Sequence, residues 1–231
     1  VTGVIKEPSG VMSTINYNYI LLELLNELRN GDILSISERG VATATDNFTA
    51  AGGAEVFTLT KSGVKNVRSV VHEGTTLTYG TDYLFNYTLG NISSVSVSKV
   101  LTLDDEVDIN FDYGTTDGVY IDWSRPDLTL SSYPRLSFNY VTLDTEVIAV
   151  GGVQAFSPRI QFRIMDFGVE NTQSKMTVMR ALLKDKQQGL YYSNILRIVG
   201  GTPCDLVKDE GKGNKIYQMN IDIIDELNIE R

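Results

Sequence analysis

The sequence predicts an α+β fold: a mixed or antiparallel sheet with two helices, plus an inserted all-β module of small sandwich or barrel type. Three observations carry this. Between Phe48 and Gly114, apolar and β-branched residues alternate in short runs that end in Gly, Asn or Asp, which is the pattern of short antiparallel strands joined by tight turns. On either side of that stretch lies one segment with helical periodicity. After Gly114 the pattern changes to strands separated by a Pro-containing loop and a second helical segment. The chain therefore divides into a discontinuous α+β core over 1–45 and 115–231 and an inserted module over 46–114.

In order along the chain, the first dozen residues carry Pro8, Gly3 and Gly10 and suit an extended arm. From about Thr14, Ile20, Leu21, Leu24, Leu25 and Leu28 recur at spacings of three and four and form one apolar helix face. Ser13, Thr14 and Asn16 are candidate N-caps, and Gly31 supplies the stop. Leu22 lies off the stripe, which implies cover on more than one side. The segment Gly31–Gly40 reads as a short strand or a connection into the module. Within the module, strands are expected near 55–60, 65–72, 75–78, 82–87, 93–99 and 106–112, with turns at Lys61-Ser62-Gly63, Glu73-Gly74, Tyr79 to Asp82, Leu89 to Asn91 and Asp104-Asp105. Strands follow at Val119–Trp123, around Leu136, Phe138 and Tyr140, at Thr145–Val150 and at Arg159–Phe167. A second helix, capped by Asn171 or Thr172, runs to about Gln188 with Met176, Met179, Leu182 and Leu183 on its face. The chain returns to strands at Asn194–Val199, Cys204–Lys208 and Lys215–Ile224.

Composition narrows the function. A chain of 231 residues with 42% hydrophobic and 21% charged content has enough apolar material for a core. No apolar run approaches the roughly 18 residues that span a bilayer, and no basic start followed by an apolar stretch marks a secretory signal. The net charge of −9, with no basic block, argues against phosphate gripping and hence against specific nucleic-acid binding. Cys204 is the only cysteine, which excludes an intrachain disulfide and fits assembly in a reducing cytoplasm.

Candidate chemistry is thin. Asp104, Asp105, Glu106 and Asp108 form the densest acidic run, but calcium loops need a different spacing, and a solvated turn explains them. His72 is the only histidine, so a zinc pair is excluded and any nucleophilic dyad would need that one ring. Gly151-Gly152 and Gly200-Gly201 match no phosphate-cradling pattern and read as loop punctuation. No catalytic residue, cofactor site or metal site is expected. The 12 tyrosines suit strand packing and also interfaces.

The segment from Trp123 to Arg135, W-x-x-P followed after six residues by Y-P-R, stands between a helix-led first part and a strand–helix–strand end. With that order of elements, the chain resembles tail terminator and related neck proteins of tailed bacteriophages. Gly80-Thr81-Asp82-Tyr83 also resembles a turn of small β modules in phage virion proteins. Asp104 to Ile109 resembles their final strand, with Asp in place of the usual Gly. The resemblance implies a virion structural protein that works by assembly and not by turnover. It would form a closed ring, typically a hexamer, that caps the tail tube, meets the tail tube protein and the head connector or stopper, and lets the genome pass through its lumen. The module would decorate the outside of the ring. Expected subunit contacts are the N-terminal arm and Trp123, Arg125, Tyr133 and Arg135, because Trp, Tyr and Arg anchor interfaces. The alternative is a baseplate or tail-fibre module that contacts a receptor or glycan.

Overall fold

A computed structural model describes residues 17–88, 91–121, 133–147, 154–209 and 215–227. The fold is mostly β, with an antiparallel half-barrel sheet, a mixed sheet and few helices. The N-terminal arm, the proposed caps Ser13, Thr14 and Asn16, the turn residues Leu89 and Gly90, Trp123, Arg125, Ile148–Val150 and Gly151-Gly152 lie outside the described residues.

Helix α1 (Tyr17–Asn30) ends as expected at Gly31, whose N–H donates to Glu27 O at 2.9 Å. The segment from Gly31 to Gly40 is not a strand. It contains the one-turn helix α2 (Ile36–Arg39), because Ser35 and Glu38 form a capping box: Glu38 N–H donates to Ser35 Oγ (3.3 Å) and Ser35 N–H donates to Glu38 Oε2 (2.8 Å). Gly40 then closes the turn in the left-handed region at φ 66°.

The half-barrel comprises β1 (Ala42–Thr49), β2 (Gly53–Thr58), β3 (Val64–His72), β4 (Thr75–Thr76), β5 (Tyr83–Thr88), β6 (Asn91–Leu101) and β7 (Glu106–Tyr113). It opens with β1, four residues before the expected boundary. The strand order is β1-β7-β3-β6-β2, with β4 on β3 and β5 on β6. β3 and β6 meet at the single pair Val64↔Ile92, so the sheet bends there and its two arms face one another. Inward residues from both arms, among them Phe57, Val70, Phe85, Val95, Val97, Ile109 and Phe111, form one core.

The second sheet holds β8 (Val119–Ile121), β9 (Arg135–Val147), β10 (Gln154–Phe167), β11 (Ser193–Val199), β12 (Asp205–Asp209) and β13 (Lys215–Leu227) in the order β11-β13-β10-β9-β8, with β12 also on β13. β8 runs parallel to β9, which makes the sheet mixed. Thr145–Val147 is the end of β9 and not a separate strand. Helix α3 (Val169–Asp185) follows β10, and a 3-10 turn continues it over Lys186–Gln188. Asn171 and Thr172 sit in its first turn, where their side chains donate to Phe167 O and Gly168 O, and Gly168 holds the cap position.

The apolar stripe of α1 packs with Met176, Met179 and Leu183 of α3 onto Leu136, Phe138, Ile160, Phe162, Ile164, Ile221 and Ile223. Phe138 and Phe162, directly paired in the register, stack at 5.3 Å. In the loop from β11 to β12, a Cβ on Gly201 would lie 2.1 Å from Asn220 O, so glycine there permits a close backbone approach.

Candidate functional site

The face of α1 opposite its apolar stripe carries Glu23, Asn26, Arg29 and Asn30, spaced three and four apart, and it too is covered. Asn26 Oδ1 accepts Val67 N–H (3.1 Å), Asn30 Nδ2 donates to Val67 O (2.8 Å), and Arg29 donates to Lys65 O (2.5 Å). α1 therefore lies between the two sheets, with its leucines on one and its polar groups on β3 of the other.

At this junction sits a buried set of opposite charges. Arg39 is 1% exposed. Its guanidinium donates to Asp117 Oδ1 (3.0 Å), Asp112 Oδ2 (3.0 Å), Arg29 O (3.2 Å) and Asn66 Oδ1 (2.6 Å). Arg29 also pairs with Asp117. Arg68 bridges Asp112 (2.7 Å) and Asp32 (2.8 Å), and Thr43 Oγ1 donates to Asp112 (2.9 Å). Burial pushes the Asp112 carboxyl up, but hydrogen bonds from Arg68, Asn66 and Thr43 bring it below the usual range. Burial lowers Arg29 against the pull of Asp117. The residues come from α1, α2, β1, β3, β7 and the β7–β8 connection, so the network ties the half-barrel to the helix-backed sheet.

Beside the junction, a cleft of about 310 Å³ is lined by Glu23, Asn26, Glu27, Tyr79, Tyr83 and Lys186, among others. The Glu23 carboxylate accepts N–H bonds from Tyr191 (2.5 Å) and Tyr192 (3.0 Å). Burial nevertheless pushes its pKa up to about 7. Tyr79 packs on Phe85 (4.6 Å) and Tyr191, and Tyr192 stacks on Tyr19 (5.4 Å). These rings join β5 and the turn before it to α1 and to the start of β11. The Gly80-Thr81-Asp82-Tyr83 turn builds this contact: Asp82 Oδ2 accepts Thr78 N–H (2.8 Å), and Gly80 at φ 83° lies against Tyr191.

Of the four residues expected at subunit contacts, the two described ones are engaged within the chain. Tyr133 is 9% exposed and packs with Met165, Ile216 and Phe167. Arg135, also 9% exposed, places its guanidinium 4.3 Å from the ring centroid of Tyr120. The two sit on either side of Pro134 at the start of β9, and neither joins the junction network. His72 Nε2 lies 2.8 Å from Asp105 Oδ2 at the end of β3, and Asp104 takes the turn at φ 69°. Among the described residues, no three His, Cys, Asp or Glu side chains group as a metal site.

The roles of Glu23, Arg29, Arg39, Asp112 and Asp117 were not legible in the sequence. The only local signal was the second, polar periodicity of α1. A second groove, of about 590 Å³, runs between α3 and β11 and is lined by Thr177, Arg180, Ala181, Lys184, Gln187, Arg197 and Ile198. No family model, curated protein or solved structure matches this chain.

Proposed function

We propose that the protein is a structural component of a tailed-phage virion, a ring-forming tail terminator or neck protein that acts by assembly. The observation that supports assembly is the state of β12. Leu206 and Val207 are adjacent in this strand, at a bulge in its pairing with β13, and both are exposed. β12 pairs only with β13 among the described residues and presents its other edge. An edge strand that exposes two adjacent apolar side chains invites pairing and aggregation unless a partner covers it. The buried polar groups at the junction serve to lock the two sheets together. The phage assignment rests on the Trp123–Arg135 segment and the order of elements. In a closed ring, cyclic symmetry supplies the covering partner and stops growth. The net charge of −9 suits a lumen that passes DNA without holding it.

The test is the mass of the purified protein by light scattering and native mass spectrometry, with negative-stain images. A ring of about six copies with an open centre is the expected result. A stable trimer overturns the ring and favours the fibre or baseplate alternative.

A further inference from the structure

The groove between α3 and β11 is unusual on an acidic chain. Thr177, Arg180, Ala181 and Lys184 follow one another at spacings of three, one and three along α3, so they share one face. Arg197 of β11 closes the other side, and Ile198 lies between. Arg180, Lys184 and Arg197 make no ion pair with any described residue. Among the described residues, the groove thus offers three unpaired cations around a floor of Ala181 and Ile198.

The far end of the half-barrel has the opposite character. Val100 is 79% exposed and Leu103 is 65% exposed. These residues lie around the β6–β7 turn, where β2 pairs with the end of β6. Carboxylates surround them. Asp104 is in the same turn, Glu106 starts β7, Glu73 in the turn after β3 accepts the Glu106 N–H (2.6 Å), and Glu55 accepts the Gly52 N–H (2.6 Å). Lys99 is the cation beside them. This apolar knob with an acidic rim stands on the half-barrel, and the basic groove stands on the other sheet.

We propose that the knob of one copy docks in the α3–β11 groove of the next, so that the chain assembles head to tail. Val100 and Leu103 lie on Ala181 and Ile198, and Asp104 and Glu106 face Arg180, Lys184 and Arg197. Complementary charge selects the second copy as the occupant and fixes its orientation. Two different patches joined in this way make a heterologous contact, which closes into a ring when the rotation permits and otherwise extends. The inference rests on the ring reading above and adds a contact between neighbouring copies apart from the β12 edge.

The experiment is sedimentation velocity on the full chain at low and high salt, with charge-reversed variants. Wild type assembles at low salt and loosens as salt screens the rim. R180E/K184E, which spoils the groove, and D104K/E106K, which spoils the knob, each associate roughly 100-fold more weakly. An equimolar mixture of the two assembles again, because each intact surface finds its match and the two reversed surfaces match one another. Circular dichroism confirms that both variants fold, and Val100→Ser with Leu103→Ser gives a charge-neutral check of the knob. If wild type assembles and the variants assemble equally well, this interface is wrong and the ring reading stands. A wild type that stays monomeric at low salt and high concentration overturns the interface itself.

Discussion

Replacing Arg39 with methionine tests whether the junction holds the two sheets together. Methionine roughly fills the volume but removes the charge and all the donors. Four hydrogen bonds are lost, to Asp117, Asp112, Arg29 O and Asn66. The acids are not fully orphaned, since Asp112 keeps Arg68 and Thr43 and Asp117 keeps Arg29. What remains unbalanced is two buried carboxylates that share fewer cations, plus Asn66 Oδ1 and Arg29 O without their donor. Removing one partner of a buried ion pair costs about 3–5 kcal/mol, and the remaining cations place Arg39→Met toward the lower end of that range. Urea unfolding followed by near- and far-ultraviolet circular dichroism reads the loss as a lower midpoint. In wild type the two probes move together. In the variant they separate, because the half-barrel and the helix-backed sheet each keep an apolar core of their own. A loss below about 1 kcal/mol, with coincident probes, refutes the reasoning, because it means the guanidinium was not compensating buried charge.

Two further outcomes follow from the cleft. The folded-state pKa of Glu23 is raised from the ordinary 4.5 to about 7, so the folded chain holds this proton more tightly than the unfolded chain does. The stabilisation is therefore complete below about pH 4.5 and is lost as pH rises through about 7, by at most about 3 kcal/mol. Stability measured at steps from pH 4.5 to 8 falls accordingly, and Glu23→Gln removes that slope; an unchanged slope in the variant assigns it to another group. Gly80→Ala strains a φ of 83° and sets a Cβ 2.2 Å from the Tyr191 ring, so it costs about 2 kcal/mol or more. Thermal unfolding measures the loss, and a midpoint within a degree of wild type refutes the close packing.

The elements that could be read from sequence were those specified locally. β3, β5, β6 and β7 alternate strong apolar residues with polar ones and end in turn residues, so each segment carries its own period. β1 has the same geometry but reads A-T-A-T-D-N-F-T, and its weak alternation matches its mostly exposed pattern. α2 escaped because one helical turn has no period, and only the Ser35–Glu38 spacing marks it. The junction escaped for a different reason. Arg39 meets Asn66, Asp112 and Asp117 across separations of 27, 73 and 78 residues. No local pattern links Arg39 in a surface-like Ser-Glu-Arg-Gly run to carboxylates on β7 and in the β7–β8 connection. Leu22 off the stripe implied cover on more than one side of α1, but periodicity shows only that a face is polar and not what covers it. The Trp123–Arg135 segment was chosen by residue type. Its described members, Tyr133 and Arg135, are buried against Phe167 and Tyr120, since residues that anchor interfaces also anchor intrachain contacts.

The junction also bears on assembly. In the head-to-tail arrangement the knob belongs to the half-barrel and the groove to the helix-backed sheet, so the angle between the sheets sets the rotation from one copy to the next. A closed ring needs that rotation to repeat without drift. Apolar contacts tolerate sliding, whereas a guanidinium with four acceptors in fixed directions does not. The buried network around Arg39 is thus the part of the fold suited to holding the angle. Arg39→Met should then leave the pairwise affinity of knob and groove nearly unchanged, since neither surface is touched, while the product changes from one closed species to a spread of open and closed sizes. Native mass spectrometry separates these outcomes. A variant that forms the same single ring as wild type shows that the angle is held elsewhere, and a variant with weakened pairwise affinity shows that Arg39 reaches the interface itself.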